Sequence, residues 1–236
     1  MTPHIDIPAY IDDIAAATAQ LLASAQDLDD AGVAAPSLLP DWNRAMVLTH
    51  VARNADGAAG VLSGAREGVV VAQYPHGFEG RAADIEAGRH RLAADLLADV
   101  QASSARLGEA YAAMRAHDWT FESEWFGGTF PVWQLVGSRR REVEVHHVDL
   151  ALAYGPDDWP RAFVDAELAE AVAALGKRLG PDVAVRLLDT GGEGEWQAGP
   201  AGPEPAVIRA PRGQLLAWLF GRPSSVVDAP DIGPWP

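Results

Sequence analysis

Five side chains of the kinds that bind metals or move protons fall within eight residues near the middle of the chain: Glu142, Glu144, His146, His147 and Asp149. The stretch that carries them, Arg139 to Leu150, has its apolar neighbours Leu135, Val136, Val143, Leu150 and Leu152 at helical rather than alternating spacing. On a helix, Glu142 and His146 lie about 40° apart around the axis and stand one above the other, so the pair can hold one metal ion. Glu144 and His147 form a competing i,i+3 pair on another face. That spacing serves carboxylate-bridged di-metal bundles, which need two Glu-x-x-His motifs, and the sequence has one. The competing interpretation is a charged, solvated helix face on which a Glu/His pair contributes roughly a few tenths of a kcal/mol.

A third ligand is needed for a catalytic site. His50 lies on a predicted helix, Trp42 to Gly57 with Asp41 as its N-cap, and shares a 3/4-spaced stripe with Met46, Val47, Asn54, Gly57 and Val61. A lone histidine in such a stripe is commonly a hydrogen-bonded core residue. Facing the Glu142/His146 pair, it would complete a three-ligand site with an open position, the arrangement of catalytic rather than structural zinc. A second i,i+4 pair, Glu86/His90, sits among Arg81, Arg89 and Arg91 and reads as surface charge.

The elements that must position these residues are mainly helices. The first is predicted from about Pro8 to Asp30, with Ile11, Ile14, Ala15, Leu21, Leu22, Ala25 and Leu28 as its stripe, Thr18 as the one polar member, and Asp29-Asp30-Ala31-Gly32 as its close. After the His50 helix, residues 65 to 81 read as a loop. A third helix is expected from about Arg81 to Met114, burying Ile85, Leu92, Leu96, Val100, Leu107 and Tyr111. The aromatic run Asp118 to Pro131, with a Gly127-Gly128 turn, reads as a hairpin-like connection able to roof a cavity. A fourth helix, Val132 to about Tyr154, carries the acidic and histidine cluster. Four helices with long connections and inward ligands make a four-helix bundle. Gly155 to Pro160 is a linker by composition. Beyond it come a helix Val164 to Leu179, strands Val183 to Leu188, around Glu195 to Ala198, and Pro205 to Ala210, and a helix Arg212 to Phe220. The expected fold is α+β with two domains, a bundle over 1–155 and a small α+β domain over 160–236. No internal repeat is visible.

Composition narrows the function classes. The chain has 236 residues, a formal charge of -15, one lysine (Lys177) and no cysteine. Phosphate binding needs clustered Lys and Arg, so a nucleic-acid surface is not expected. Without cysteine there is no disulfide, thiolate metal site or protein thiol nucleophile, and any thiol chemistry must use a borrowed thiol. No run approaches a membrane span and the N-terminal residues lack a secretory pattern, so a cytoplasmic protein that does not engage membranes is expected. The absence of a long exposed apolar stripe suggests a monomer.

Several blocks, in order along the chain, resemble the mycothiol-dependent maleylpyruvate isomerase family within the wider DinB-like (YfiT-like) group of metal-binding bundles. They are Pro40-Asp41-Trp42-Asn43-Arg44 with Leu48 to Asp56; Tyr74-Pro75 followed by Arg81 and Asp84 to Gly88; Arg141-Glu142-Val143 with Val145 to Leu150; and Ala217-Trp218-Leu219-Phe220-Gly221-Arg222. The resemblance implies zinc held by His50, Glu142 and His146, with nickel or manganese as alternatives, and an open position for water or for the thiol of mycothiol. It sets Glu144/His147 and Glu86/His90 outside the ligand positions. It also implies Arg222 as an arginine reaching toward the site from the second domain, and Arg222 with Asn54 as cofactor-binding residues. The implied reaction is thiolate addition to the cis double bond of maleylpyruvate, rotation, and elimination to fumarylpyruvate, a step of gentisate-type aromatic degradation. Arg222 and Arg81 would pair with the carboxylates of this small dicarboxylate. Asp149 would orient an imidazole, or else cap the helix or lie on the surface. Two other functions stay open. One is a mycothiol S-transferase acting on an electrophilic xenobiotic, favoured by the aromatic run Trp119 to Phe130. The other is a non-catalytic binding or regulatory protein in which His50 is a core residue.

Overall fold

The computed structural model describes residues 5–125, 128–202 and 204–233. The chain divides into two compact units, Met1–Ala153 and Tyr154–Pro236.

In the first unit, α1 (Ile7–Ala25) starts where Asp6 Oδ1 accepts the Ala9 N–H, with a proline in the first turn, where its missing N–H costs nothing. The acidic run expected to close this helix instead opens another. Asp29 Oδ1 accepts the Gly32 N–H at 2.7 Å and caps α2 (Asp30–Ala34). The long α3 (Arg44–Glu67) is capped by Asn43, whose Oδ1 accepts from Met46 N at 3.0 Å, and not by Asp41, which takes φ 65° in the preceding turn. It ends on Gly68 at φ 71°, the left-handed conformation that glycine adopts without penalty.

The single helix expected from Arg81 to Met114 is two. α4 (Gly77–Ala87) passes into a 3-10 turn, Gly88–His90, then Arg91 and Leu92 are extended before α5 (Ala93–Ala112). Gly88 marks the break because its backbone lies against α3: a Cβ there would fall 2.1 Å from Thr49 Oγ1. Leu92, expected in the buried line, is 54% exposed. The apolar spacing runs through the break unchanged, so periodicity alone could not reveal it.

Strands β1 (Glu122–Trp125) and β2 (Gly128–Pro131) form an antiparallel hairpin with Glu122 opposite Pro131; Phe126 and Gly127 of its turn lie outside the described residues. The hairpin leads into α6 (Gln134–Asp149), the helix of the acidic and histidine cluster.

Helices α1 and α3 each pack against both α5 and α6. The apolar core between them falls into two clusters. One holds Leu21, Leu48, Val51, Leu96, Val100 and Val143, the other Ile14, Val61, Leu62, Leu107, Leu135 and Val136. Between them the helices place Thr18, Asn54, Ser103 and Arg139, all buried. α6 is flanked on both sides, so its charged residues are not a solvated face: Arg139, Arg140, Glu144, His147 and Asp149 are each at most 3% exposed. Arg140 lies over the Tyr10 ring at 3.9 Å and donates to Asp13 at 3.0 Å, and His147 Nε2 meets Ser24 Oγ at 2.8 Å, all toward α1.

The C-terminal end of α6 is held by one side chain. Arg44 Nε donates to the Leu150 carbonyl at 2.6 Å, Nη2 to Ala151 O at 2.9 Å and Nη1 to Gly32 O at 3.1 Å. The Leu150 and Ala151 carbonyls, just past the helix, would otherwise be orphaned there.

The second unit consists of α7 (Arg161–Leu175), β3 (Val185–Asp189), β4 (Glu195–Ala198), β5 (Ala206–Ala210) and α8 (Arg212–Leu219). The sheet order is β4-β3-β5, antiparallel between β3 and β4 and parallel between β3 and β5. α7 and α8 pack together and bury Phe163, Leu168, Leu175, Leu215 and Leu216. At the end of β3, Asp189 accepts from Gly191 N–H at 2.9 Å and from Arg212 Nε at 2.8 Å. Among the described residues no helix is long and apolar enough to cross a membrane.

The Arg44 and Asp189 contacts each carry a measurable share of stability. Arg44→Met removes three charge-assisted bonds and leaves carbonyls unmet, so denaturant unfolding should show a loss of about 2–4 kcal/mol. Burial pushes the Asp189 carboxyl up, but the Gly191 amide and the Arg212 guanidinium outweigh it and hold the group below the usual carboxylate range. A folded pKa below the unfolded value of about 3.9 gives stability that is present above that pH and lost as the pH falls below it. Asp189→Asn should therefore be clearly less stable than the parent at pH 7 and approach it near pH 3, as read by urea melts at the two pH values.

Candidate metal centre

α3 and α6 bring His50, Glu142 and His146 together. Each offers a ligand atom, and the three atoms lie within 4.8 Å of one another. Glu142 Oε2 is the shared point, 2.8 Å from His50 Nε2 and 3.2 Å from His146 Nε2. The two imidazoles meet edge to face with centroids 4.5 Å apart, and Trp42 stands edge-on to His50 at 5.9 Å.

Each ring is oriented from behind. His146 Nδ1 is 2.8 Å from Asp149 Oδ2. An ionised carboxylate only accepts, so Nδ1 carries the hydrogen and Nε2 is directed to Glu142. Asp149 is fully buried, which removes the surface role left open for it. On the other side Arg81, from α4, places Nη2 3.2 Å from His50 Nδ1. A guanidinium has no acceptor, so Nδ1 accepts and His50 carries its hydrogen at Nε2, toward the carboxylate.

The electrostatics follow from this geometry. Burial lowers the His50 pKa to about 4, with His146 and Arg81 adding to the effect and Glu142 opposing it. The ring is neutral at pH 7, the form that binds a metal. Burial pushes the Glu142 carboxyl up, but His50 and His146 beside it hold it well below the ordinary value. Burial lowers His146, but Asp149 and Glu142 more than reverse this and its pKa is raised.

Two imidazole nitrogens and one carboxylate oxygen, convergent and backed by an orienting carboxylate, match the donor set of catalytic zinc. The model of the family described as mycothiol maleylpyruvate isomerase N-terminal domain matches residues 14–151. The chain belongs to this family. The matched stretch includes His50, Arg81, Glu142, His146 and Asp149, while Arg222 lies beyond it.

Two solved structures resemble the whole chain. A crystal structure of the mycothiol-dependent maleylpyruvate isomerase has 23% sequence identity, 98% coverage of each chain and a TM-score of 0.88. The crystal structure of a histidine-to-alanine mutant of a mycothiol-dependent maleylpyruvate isomerase has 22% identity, the same coverage and a TM-score of 0.87. At these identities the likeness concerns the fold, an α+β arrangement. No curated protein matches the chain in sequence.

Asn54 is 1% exposed, with Oδ1 accepting from Arg139 Nη1 at 2.8 Å and Nδ2 3.5 Å from the Tyr74 hydroxyl, so its amide is engaged inside the protein. Arg222, in the second unit, donates from Nη1 to the Phe220 carbonyl at 2.9 Å. Glu144 and His147 are buried on α6, with His147 turned to Ser24 of α1 and away from the three-ligand cluster. Glu86 is exposed and accepts two bonds from Arg89, at 2.6 and 2.9 Å.

Tyr74 was missed as a site residue. Its ring lies 5.5 Å from the Arg81 guanidinium carbon and its hydroxyl touches Asn54, so it steadies the arginine at His50. The only signal was the Tyr74-Pro75 pair within the family pattern. Arg139, buried under the cluster with Nη1 on Val51 O and Asn54 Oδ1, had no signal apart from standing in a run of three arginines.

Replacing Asp149 by asparagine should lower affinity for added zinc by about 10- to 100-fold, because a neutral amide, which can also turn its NH2 toward the ring, holds the hydrogen on Nδ1 less firmly than the carboxylate does. Chelator competition measures this, with circular dichroism showing that the helices remain.

Proposed function

We propose that this protein is a zinc- and mycothiol-dependent cis-trans isomerase that converts maleylpyruvate to fumarylpyruvate, with its first unit acting as a DinB-like four-helix bundle. The observation that carries the proposal is the convergence of His50, Glu142 and His146 within 4.8 Å inside a chain of this family. His50, Glu142 and His146 would hold the zinc, which supplies a Lewis acid that lowers the pKa of a thiol, as it does for bound water, so that thiolate is present at neutral pH.

The chain's own residues prepare the site. Asp149 keeps the His146 hydrogen on Nδ1, which leaves Nε2 to act as a donor atom. If His50 also uses Nε2, its ring hydrogen must move to Nδ1, and the contact with Arg81 Nη2 turns from favourable to donor against donor. Arg81 lies over the Tyr74 ring, and its guanidinium is suited to bidentate pairing with a substrate carboxylate. Burial around His50, which is 1% exposed, excludes water that would compete for the metal and screen the charge pairing. Arg222 enters this reading only through its match to the family's terminal arginine, as a partner for the second carboxylate.

The decisive experiment is elemental analysis of the purified chain beside an assay of maleylpyruvate with and without mycothiol. The expected result is about one zinc per chain and isomerisation that requires mycothiol, with both lost in His50→Ala. Arg81→Ala should keep the metal and lower kcat/KM by at least tenfold. Zinc without isomerase activity, but with conjugation of mycothiol to an electrophile, would transfer the site to an S-transferase. No metal even after zinc is supplied would overturn the enzyme reading.

A further inference from the structure

The first unit contains a cavity of about 260 Å³ between α1 and α5. Its walls are apolar, with Ile11, Ile14 and Leu22 from α1 and Leu107 from α5, while Ala15, Ala19 and Gly108 around it are exposed. It coincides with the polar layer that divides the core. Three groups at that level, Ser104, Tyr111 and Arg139, also line it.

These three carry unmet hydrogen-bonding capacity. Ser104 Oγ, the Tyr111 hydroxyl, and Arg139 Nε and Nη2 are all buried and have no partner among the described residues. The pattern on Arg139 is specific. Nη1 is used, on Val51 O at 2.9 Å and Asn54 Oδ1 at 2.8 Å, which fixes the guanidinium from the α3 side. The unused edge is Nε with Nη2, the side-on fork that receives the two oxygens of a carboxylate in parallel. Arg139 is 1% exposed, and among the described residues no carboxylate hydrogen-bonds or ion-pairs with it. Glu142 and Asp56 act on this cation through space without a hydrogen bond, and each unmet polar atom on it is costly.

We propose that this cavity binds a monocarboxylate with a linear apolar tail, its headgroup on the Arg139 fork with the Tyr111 and Ser104 hydroxyls alongside. At roughly 30 Å³ per water-sized group, the volume accommodates a headgroup and a tail of about six to eight carbons. The four polar atoms are closed to water in this conformation, so the headgroup reaches them with a small side-chain shift at the inner end of the cavity. The site opens between α1 and α5, whereas the metal ligands come from α3 and α6; Arg139 stands one turn before Glu142 on α6 and is also linked to the Arg81 side of the metal centre through Asn54 and Tyr74.

Calorimetric titration of the full chain with octanoate tests this. Saturable binding at one per chain is expected, with octanol, which has the same tail and no carboxylate, binding at least tenfold more weakly. Arg139→Met should weaken octanoate at least tenfold. Because that change also removes the bonds to α3, Gly108→Phe provides a second test. A Cβ at Gly108 meets nothing within 4 Å, so a side chain is tolerated at its base, and a ring turned over the cavity mouth should abolish binding, with circular dichroism checking that the variant is folded. Arg81→Ala should bind octanoate as the parent does, which separates this site from carboxylate capture near the metal ligands. No saturable binding, equal affinity for octanol, full binding by Gly108→Phe, or loss in Arg81→Ala would each overturn the proposal.

Discussion

A single carboxylate oxygen organises the first unit. Glu142 Oε2 lies within hydrogen-bond reach of an imidazole on its own helix and of one on α3, at 3.2 and 2.8 Å. For that oxygen to be largely shielded from water, α6 must be covered on both flanks, and the same coverage buries its other charged residues. Desolvating charge costs several kcal/mol per group unless partners compensate. The structure meets that cost locally: Arg140 has Asp13 and the Tyr10 ring, His147 has Ser24, and His146 has Asp149.

The cluster is also polarised from one side to the other. His146, between two carboxylates, is pushed toward the protonated form against its burial, and His50 is pushed by burial, with His146 and Arg81 adding to it, toward the neutral one. Two histidines 4.5 Å apart thus present different donor properties to one carboxylate. The difference arises from what stands behind each ring, a carboxylate for one and a guanidinium for the other. Arg44, by tying the carbonyls that follow α6 to the turn of α2, fixes the end of the helix on which Asp149 and His146 sit.

Much of this is legible along the chain. The i,i+4 relation of Glu142 and His146 is a property of helical geometry, and the 3/4-spaced stripe through His50 marks that residue as inward-facing from spacing alone. The last strands and helix of the second unit are readable too: the expected strand at Glu195 to Ala198 matches β4, and α8 begins at Arg212 as its pattern indicates. What is not legible involves contacts between distant segments. Gly88, where the helix breaks, has no room for a side chain because Thr49 occupies the space it would take. Asn43 rather than Asp41 caps α3 because the turn carries Asp41 into the left-handed region. Arg139, in a run of three arginines on a stretch that could equally be a solvated face, is buried against the backbone of α3.

By itself, then, the sequence determined the periodic elements, the family, and which residue types were available to a metal, because these depend on spacing within ten or so residues and on side-chain chemistry. The tertiary structure alone decided that His50 faces Glu142 across 92 positions of sequence, that Arg81 and not another arginine stands at its Nδ1, and that His147 turns to Ser24. It also split the core with a polar layer beneath the site. The physical reason is that a helix with charge on every face has no intrinsic inward side. Which of its faces meets which partner is settled only by the helices packed around it and by the requirement that each buried charge find a compensating group.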